Sequence, residues 1–143
     1  MMNMVGLNKD VFSFEFSDGN TGMFKVMEKA EAICRERQVD ESKVYLVQLC
    51  IEELVTNALR YGRTDNTKVK DIVSLNIRNN DITLVIEDDA KPFDPLTEAP
   101  SPDLTVDIEN RTVGGLGIHM LKSMTQTMQY EYVNRHNRVT LVF

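Results

Sequence analysis

The 143-residue chain is expected to fold as an α+β protein, with a mostly antiparallel sheet and helices packed on one face. Three observations lead there. Two pairs of alternating apolar runs are each joined by a short polar turn, the pattern of antiparallel hairpins. Two longer stretches repeat their apolar residues at helical spacing. The element order that results, β-α-α-β-β-lid-α-β-β, sets hairpins beside helices.

The first strand is "VFSFEFSD", where Phe12, Phe14 and Phe16 alternate with Ser13 and Glu15, the period of a half-buried strand. "DGNTG" breaks it with turn residues. From Met23 to about Gln38, the apolar positions Met23, Val26, Met27, Ala30, Ile33 and Cys34 predict a helix with one face buried. Asp40 is placed to cap a second helix, with Glu41 in its first turn facing the positive end of the dipole. That helix is expected to stop at Gly62. After the polar link "RTDNTKVK", Val73, Leu75 and Ile77 alternate with polar residues, and Ile82, Leu84 and Ile86 do so beyond "NND": a hairpin. The next stretch, "DDAKPFDPLTEAPSPDLTVDIENRT", holds all four prolines and no sustained period. Loops of this length are functional lids or disordered segments, and a lid is placed at about residues 90–113. "VGGLGIHMLKSM" is a glycine-rich turn leading into a short helix. "MQYEYV" and "RVTLVF", joined by "NRHN", make a second hairpin.

A single domain over residues 1–143 is the expectation for a chain of this length. The net charge of −6 argues against a protein that tracks nucleic-acid phosphates, which needs a basic face. It does not exclude a nucleotide, because backbone N–H groups at a helix start hold phosphates without side-chain charge. Cys34 and Cys50 fall inside helical segments and form no C-x-x-C pair, so they read as small buried hydrophobes. The first ten residues lack the charged-then-apolar order of a signal peptide, and no apolar run approaches the ~20 residues that span a bilayer. A cytoplasmic protein is expected. His119 and His136 have no ligand-spaced partners, and no G-x-S-x-G or Cys–His grouping suggests a hydrolase.

Three features carry chemistry. On the second helix, Glu53 and Asn57 lie about 40° apart on the flank of the apolar stripe, with Arg60 close to the same side and Glu52 on the other. Helix geometry alone allows two readings: a solvated edge with a Glu–Arg contact, or a carboxylate and an amide facing a cleft. Asp88 ends a strand, where it either starts a turn or accepts a hydrogen bond from an exocyclic amine such as that of adenine. "GGLGI" places three glycines just before a helix, serving as a lid hinge, a close approach for phosphate, or both.

Taken in order, "EELVTNALRYG", "IEDDAKPFDP" and "GGLGIHMLKSM" resemble the N, G1 and G2 boxes of the GHKL superfamily, which includes gyrase, heat-shock chaperone, histidine kinase and mismatch-repair ATPases. The resemblance covers most of the chain and implies a Bergerat-type, two-layer α/β sandwich, with a mixed, mostly antiparallel sheet and an ATP lid. The short length, "PFDP" and "GGLGIHML" are similar to the anti-sigma-factor serine/threonine kinases. On that likeness, Glu53 is the general base, Asn57 coordinates Mg²⁺ beside the phosphates, and Asp88 recognises the adenine amine. Gly115 and Gly117 match the glycines whose backbone approaches the phosphates, with Gly114 and Leu116 in the same nucleotide-binding turn; Arg60 and Arg111 would be phosphate contacts. The implied cofactors are ATP and Mg²⁺. The implied partners are a sigma factor and a small STAS-like anti-anti-sigma protein that receives the phosphoryl group, and the implied assembly is a homodimer. The alternative is a non-catalytic, ATP-gated module that binds a partner. A histidine-kinase fragment is a third reading, and no helix pair with a phospho-accepting His supports it. Two positions depart from the family pattern. Ala90 stands where Asp-x-Gly expects glycine, so its methyl would crowd the adenine edge or disfavour a turn with positive φ. Asn137 stands where a Gly-Thr pair expects a Thr that touches the adenine site. The lid is also acidic.

Overall fold

The alternating runs pair in the register their periodicity predicts. The computed structural model describes residues 3–4, 10–62, 68–98 and 115–143, with the backbone alone for 3, 4, 115 and 116. In chain order the elements are Asn3–Met4 (β1), Val11–Phe16 (β2), Asn20–Glu36 (α1), Glu41–Asn57 (α2), Asp71–Arg78 (β3), Asp81–Asp88 (β4), Pro95–Glu98 (α3), Gly115–Met124 (α4), Thr127–Val133 (β5) and His136–Val142 (β6). The strands form one sheet in the order β1-β2-β3-β4-β6-β5, and every pairing is antiparallel. The sheet expected to be mixed is therefore antiparallel throughout the described residues.

One sheet face carries Phe14, Phe16, Val73, Leu75, Ile77, Ile82, Leu84, Ile86, Val139 and Leu141, all buried. Against it lie Val26, Ala30 and Cys34 from α1, and Val47, Cys50, Ile51 and Leu54 from α2. Each fully buried Leu or Ile here contributes about 1.5–3 kcal/mol, so the helices are fixed to the sheet by their apolar stripes. The residues between these on the strands, such as Ser13, Ser74, Thr83 and Thr140, are half-buried on the opposite face, where the Ser13 and Ser74 hydroxyls meet at 3.0 Å. Cys34 and Cys50 are buried free thiols, as their helical positions suggest, and burial pushes both thiols up, to about 11 and about 12. No described helix is long and apolar enough to cross a membrane.

Several boundaries differ from the periodic reading, each for a local reason. Asp40 precedes α2 but does not cap it with its side chain. Its carboxylate accepts from Asn80 Nδ2 at 2.7 Å and its backbone N–H donates to Asn80 Oδ1 at 3.1 Å, tying α2 to the β3–β4 turn. The second helix does run to Gly62, but Ala58–Gly62 opens into a wider π turn. α3 lies inside the stretch read as aperiodic. It begins with proline at its first position, and Asp94 Oδ1 accepts from Leu96 N at 2.9 Å while Glu98 reaches back to Asp94 N–H. In the second hairpin the turn is only Asn134 and Arg135, both left-handed at φ 53° and 62°, as a two-residue primed turn requires. His136 and Asn137 thus belong to β6, and Asn137 pairs directly with Asp88.

Candidate functional site

A shallow cleft opens where the end of α2 meets the ends of β4 and β6, lined by Leu54, Asn57, Ala58, Gly62, Ile86, Asp88, Phe93, Pro95, Asn137 and Val139. Its walls are mostly apolar, and three polar groups converge on it, the usual make-up of a small-molecule site.

Asp88, only 7% exposed, is held by its Oδ1 atom, which accepts from Ala90 N at 3.0 Å and from Asn137 Nδ2 at 2.8 Å. Its Oδ2 atom takes no hydrogen bond from any described residue. Burial raises the carboxyl's affinity for a proton, and these two bonds oppose the rise. Asn137 does more than touch Asp88. Its Nδ2 also reaches Ala90 O at 3.3 Å and Lys91 O at 3.0 Å, and its Oδ1 accepts from Phe93 N at 3.0 Å and Tyr130 Oη at 2.6 Å. The residue that replaces the expected Thr is therefore a brace, joining β4, β5 and the loop that follows β4.

The structure corrects both concerns about Ala90. Its φ is not positive, so no strained turn is imposed. Its methyl packs against the helix end: a Cβ built on Gly62 would lie 2.9 Å from the Ala90 Cβ. Lys91 N donates to Gly62 O at 3.1 Å, and Tyr61 stacks on Phe93 with ring centroids 5.1 Å apart. The loop after β4 is thus docked onto the π turn.

Glu53 and Asn57 sit one helical turn apart. Asn57 is 2% exposed and its Nδ2 has no hydrogen-bond partner; the buried Oε2 of Glu53 has none either. Burial first, then Glu52, pushes the Glu53 carboxyl up to about 7, against a smaller lowering by Arg60. Arg60 is exposed, with its guanidinium 5.8 Å from the Tyr61 ring centre, and Glu52 faces solvent as the sequence suggests. Gly117, in the first turn of α4, is buried against Glu53: a Cβ there would overlap the Glu53 side chain. The bare backbone of α4 therefore comes up to the carboxylate. The first turn of α4 thus stands beside Glu53, and the N–H groups that open a helix have no acceptor inside it, which is why helix starts suit anions.

Of the residues singled out by sequence, Asn57 and Asp88 share the cleft, while Glu53, Arg60 and Gly117 gather at its helix side. Gly115 and Leu116 have their backbone in α4. Arg111 and Gly114 lie outside the described residues, as does the lid from residue 99 to 113. Sequence reasoning missed Phe93 as a cleft wall, Asn137 as a brace, and Asp71, a fully buried acid beside Asp88. Asp71 was legible in principle, since it falls in step with Val73, Leu75 and Ile77 on the core face. Among the described residues, no group of three or more His, Cys, Asp or Glu could hold a metal.

Comparison with known proteins agrees with this geometry. The family model for the histidine kinase-like ATPase domain matches residues 18–143. The serine/threonine-protein kinase BtrW of Bordetella bronchiseptica is 24% identical over 97 residues, which is 68% of each of the two chains.

Proposed function

Because the chain belongs to the histidine kinase-like ATPase domain family, we propose that it binds Mg·ATP in this cleft and transfers the γ-phosphoryl group to a serine or threonine hydroxyl of a protein partner. The observation that carries the reading is the pair of orphaned polar atoms, Glu53 Oε2 and Asn57 Nδ2, beside a half-engaged Asp88 carboxylate. Buried polar groups without partners are costly, and a nucleotide with its cation is what this set fits.

Asp88 Oδ2 accepts from the base amine, while Leu54, Ile86, Phe93 and Val139 enclose the ring. The phosphates extend toward the first turn of α4, and Arg60 and Arg111 are the proposed side-chain phosphate contacts. Gly117 brings backbone rather than side chain to that turn, and Gly114, Gly115 and Leu116 complete the proposed nucleotide-binding stretch. The donor set would suit magnesium held chiefly by phosphate oxygens: Asn57 offers one neutral, hard amide oxygen after a half-turn of its side chain, and among the described residues no carboxylate cage competes. When bound, Mg²⁺ neutralises charge on the transferred group. Glu53 orients the incoming hydroxyl and takes its proton as the new O–P bond forms and ADP leaves. A carboxyl poised near neutrality is suited to that task.

BtrW is named a serine/threonine-protein kinase, which supports the choice of acceptor. On the likeness of "PFDP" and "GGLGIHML", the proposed acceptor is a small STAS-like anti-anti-sigma protein, a sigma factor is the second partner, and the working unit is a homodimer. The reading as a silent, ATP-gated module drew its support from Ala90, and the structure takes that methyl up on Gly62.

The test is the melting temperature with and without Mg·ATP. Ligand at 100 times its Kd stabilises by about 2.7 kcal/mol, which for a domain of this size is a rise of roughly 5–10 °C. Asn57→Ala is expected to abolish the rise. No rise in the wild-type protein at millimolar ATP would refute the site.

A further inference from the structure

The register that sets Asp88 against Asn137 also sets Asp71 against Asp88, and Asp71 has no part in the chemistry above. Asp71 is 0% exposed, and neither carboxylate oxygen has a hydrogen-bond partner. Directly opposed residues of an antiparallel pair have Cβ atoms about 4.5–5.5 Å apart. Two buried carboxyl groups thus stand side by side, and like charges so placed do not both ionise near neutrality. Asp88 is the member that stays ionised, because Ala90 N–H and the Asn137 amide both donate to it. Asp71 receives no such donor and keeps its proton, so it stands beside Asp88 as an uncharged acid.

We propose that Asp71 is a positioning residue for base recognition: as a neutral acid beside Asp88 it leaves that carboxylate, set by its own two donors, as the single charge of the acceptor, and its ionisation disables the acceptor. The proposal rests on the nucleotide reading of the cleft. A second buried charge would push Asp88 away from the place its two donors set, and would repel an anionic nucleotide.

The surroundings agree. Asp71 and Asp88 are the only buried ionisable acids among the described residues, and no buried cation from any described element answers them. β2 presents Phe16 opposite Asp71, while Glu15, on the other face, is held by Lys70. Burial, then Asp88, then Asp89, push the Asp71 carboxyl up from 3.8 to about 8. His136 and Asp89 act on Asp88, in opposite directions. Because the folded value is raised, the folded chain holds between pH 3.8 and about 8 a proton that the unfolded chain has lost. Stability falls with rising pH across that window, and Asp71→Asn is expected to melt higher than wild type at pH 7.5, so folding failure does not obscure the test.

ATP affinity is measured by calorimetry from pH 7 to 9.5, in constant Mg²⁺, for wild type, Asp71→Asn and Asp71→Val. The wild-type Kd is expected to rise with a limiting slope of about tenfold per pH step above about 8, the mark of one linked proton. Asp71→Asn, whose amide does not titrate, is expected to lack that limb. Asp71→Val, which carries no charge either, is expected to bind like Asp71→Asn at pH 7.5 and to lack the limb as well. Any slope shared by all three belongs to other groups, Glu53 included. Wild type and Asp71→Asn with the same profile, or a limb above pH 8 that survives in Asp71→Val, would overturn the proposal alone. No ATP binding by any of the three at any pH would overturn the nucleotide reading, and the proposal with it.

Discussion

Adding a methyl at Gly62 is expected to destabilise the protein, although Gly62 winds in a helical turn where alanine is normally the better residue. A Cβ there would lie 2.9 Å from the Ala90 Cβ, against an optimum of about 3.5–4.0 Å for carbon atoms. The loop after β4 would have to give way, and overpacking of this kind costs about 1–3 kcal/mol. The helical preference for alanine over glycine returns about 0.5–1 kcal/mol. The net loss is then roughly 0.5–2 kcal/mol, or about 1–8 °C in melting temperature for a chain of this size. Ala90→Gly alone removes a buried methyl and loosens the loop, a loss of about 1 kcal/mol. Combining Gly62→Ala with Ala90→Gly returns one methyl to the contact and is expected to recover near wild-type stability, with a favourable coupling of about 1–3 kcal/mol. Thermal and urea unfolding of the four proteins closes the cycle. If Gly62→Ala melts at or above wild type, or if the two changes simply add, the methyl does not sit where the structure puts it.

Two further outcomes follow from the same geometry. With its carboxyl raised from 4.5 to about 7, Glu53 is expected to give phosphoryl transfer that climbs with pH through about 7 and then levels. Glu53→Gln should slow transfer by about 10²–10⁴-fold, keep the ATP-induced melting rise and lose that limb; a limb that survives in Glu53→Gln would assign it to another group. The raised value also means that the Glu53 contribution lowers stability as pH rises from 4.5 to about 7. Asn137→Ala removes the donor on Asp88 and the acceptor for Phe93 N–H and Tyr130 Oη. Each buried group left unpaired costs about 1–3 kcal/mol, so both the melting temperature and the ATP-induced rise should drop, and an unchanged rise would show that the brace does not serve the cleft.

The strands were legible because one face is buried and the other is not: Phe14 and Phe16, Leu75 and Ile77, Ile82 and Leu84 each declare their side by alternating with polar neighbours. Glu53 and Asn57 were legible as neighbours for the same reason, since four residues of α-helix bring them onto one flank. What alternation does not carry is which polar atoms meet across strands. "NRHN" is rich in turn formers and so suggests a turn that includes Asn137, whereas the left-handed pair Asn134–Arg135 completes the turn alone and delivers Asn137 to Asp88. α3 has too few residues to show a period, and its only signal was the Asp-Pro start. Gly117 looked like a residue chosen for phosphate approach, and its closest described neighbour proves to be the Glu53 side chain. Close approach is a property of two segments, and a single segment does not display it.

The π turn at Ala58–Gly62 has a consequence for chain length rather than for side chains. A π turn accommodates one residue more than an α-helix would in the same span. Substitutions within it leave the count intact. Deleting a single residue would let the segment close up into α winding over the same span, so the chain beyond would still arrive in the same place; in an ordinary α-helix the same deletion turns everything beyond by about 100°. Lost from Ala58–Arg60, the residue would leave the Glu53–Asn57 ledge where it is and still deliver Tyr61 to Phe93 and Gly62 to Ala90. In this stretch the number of residues is free by one, and a homologue one residue shorter here is expected to keep the same fastening of the loop after β4 to the helix.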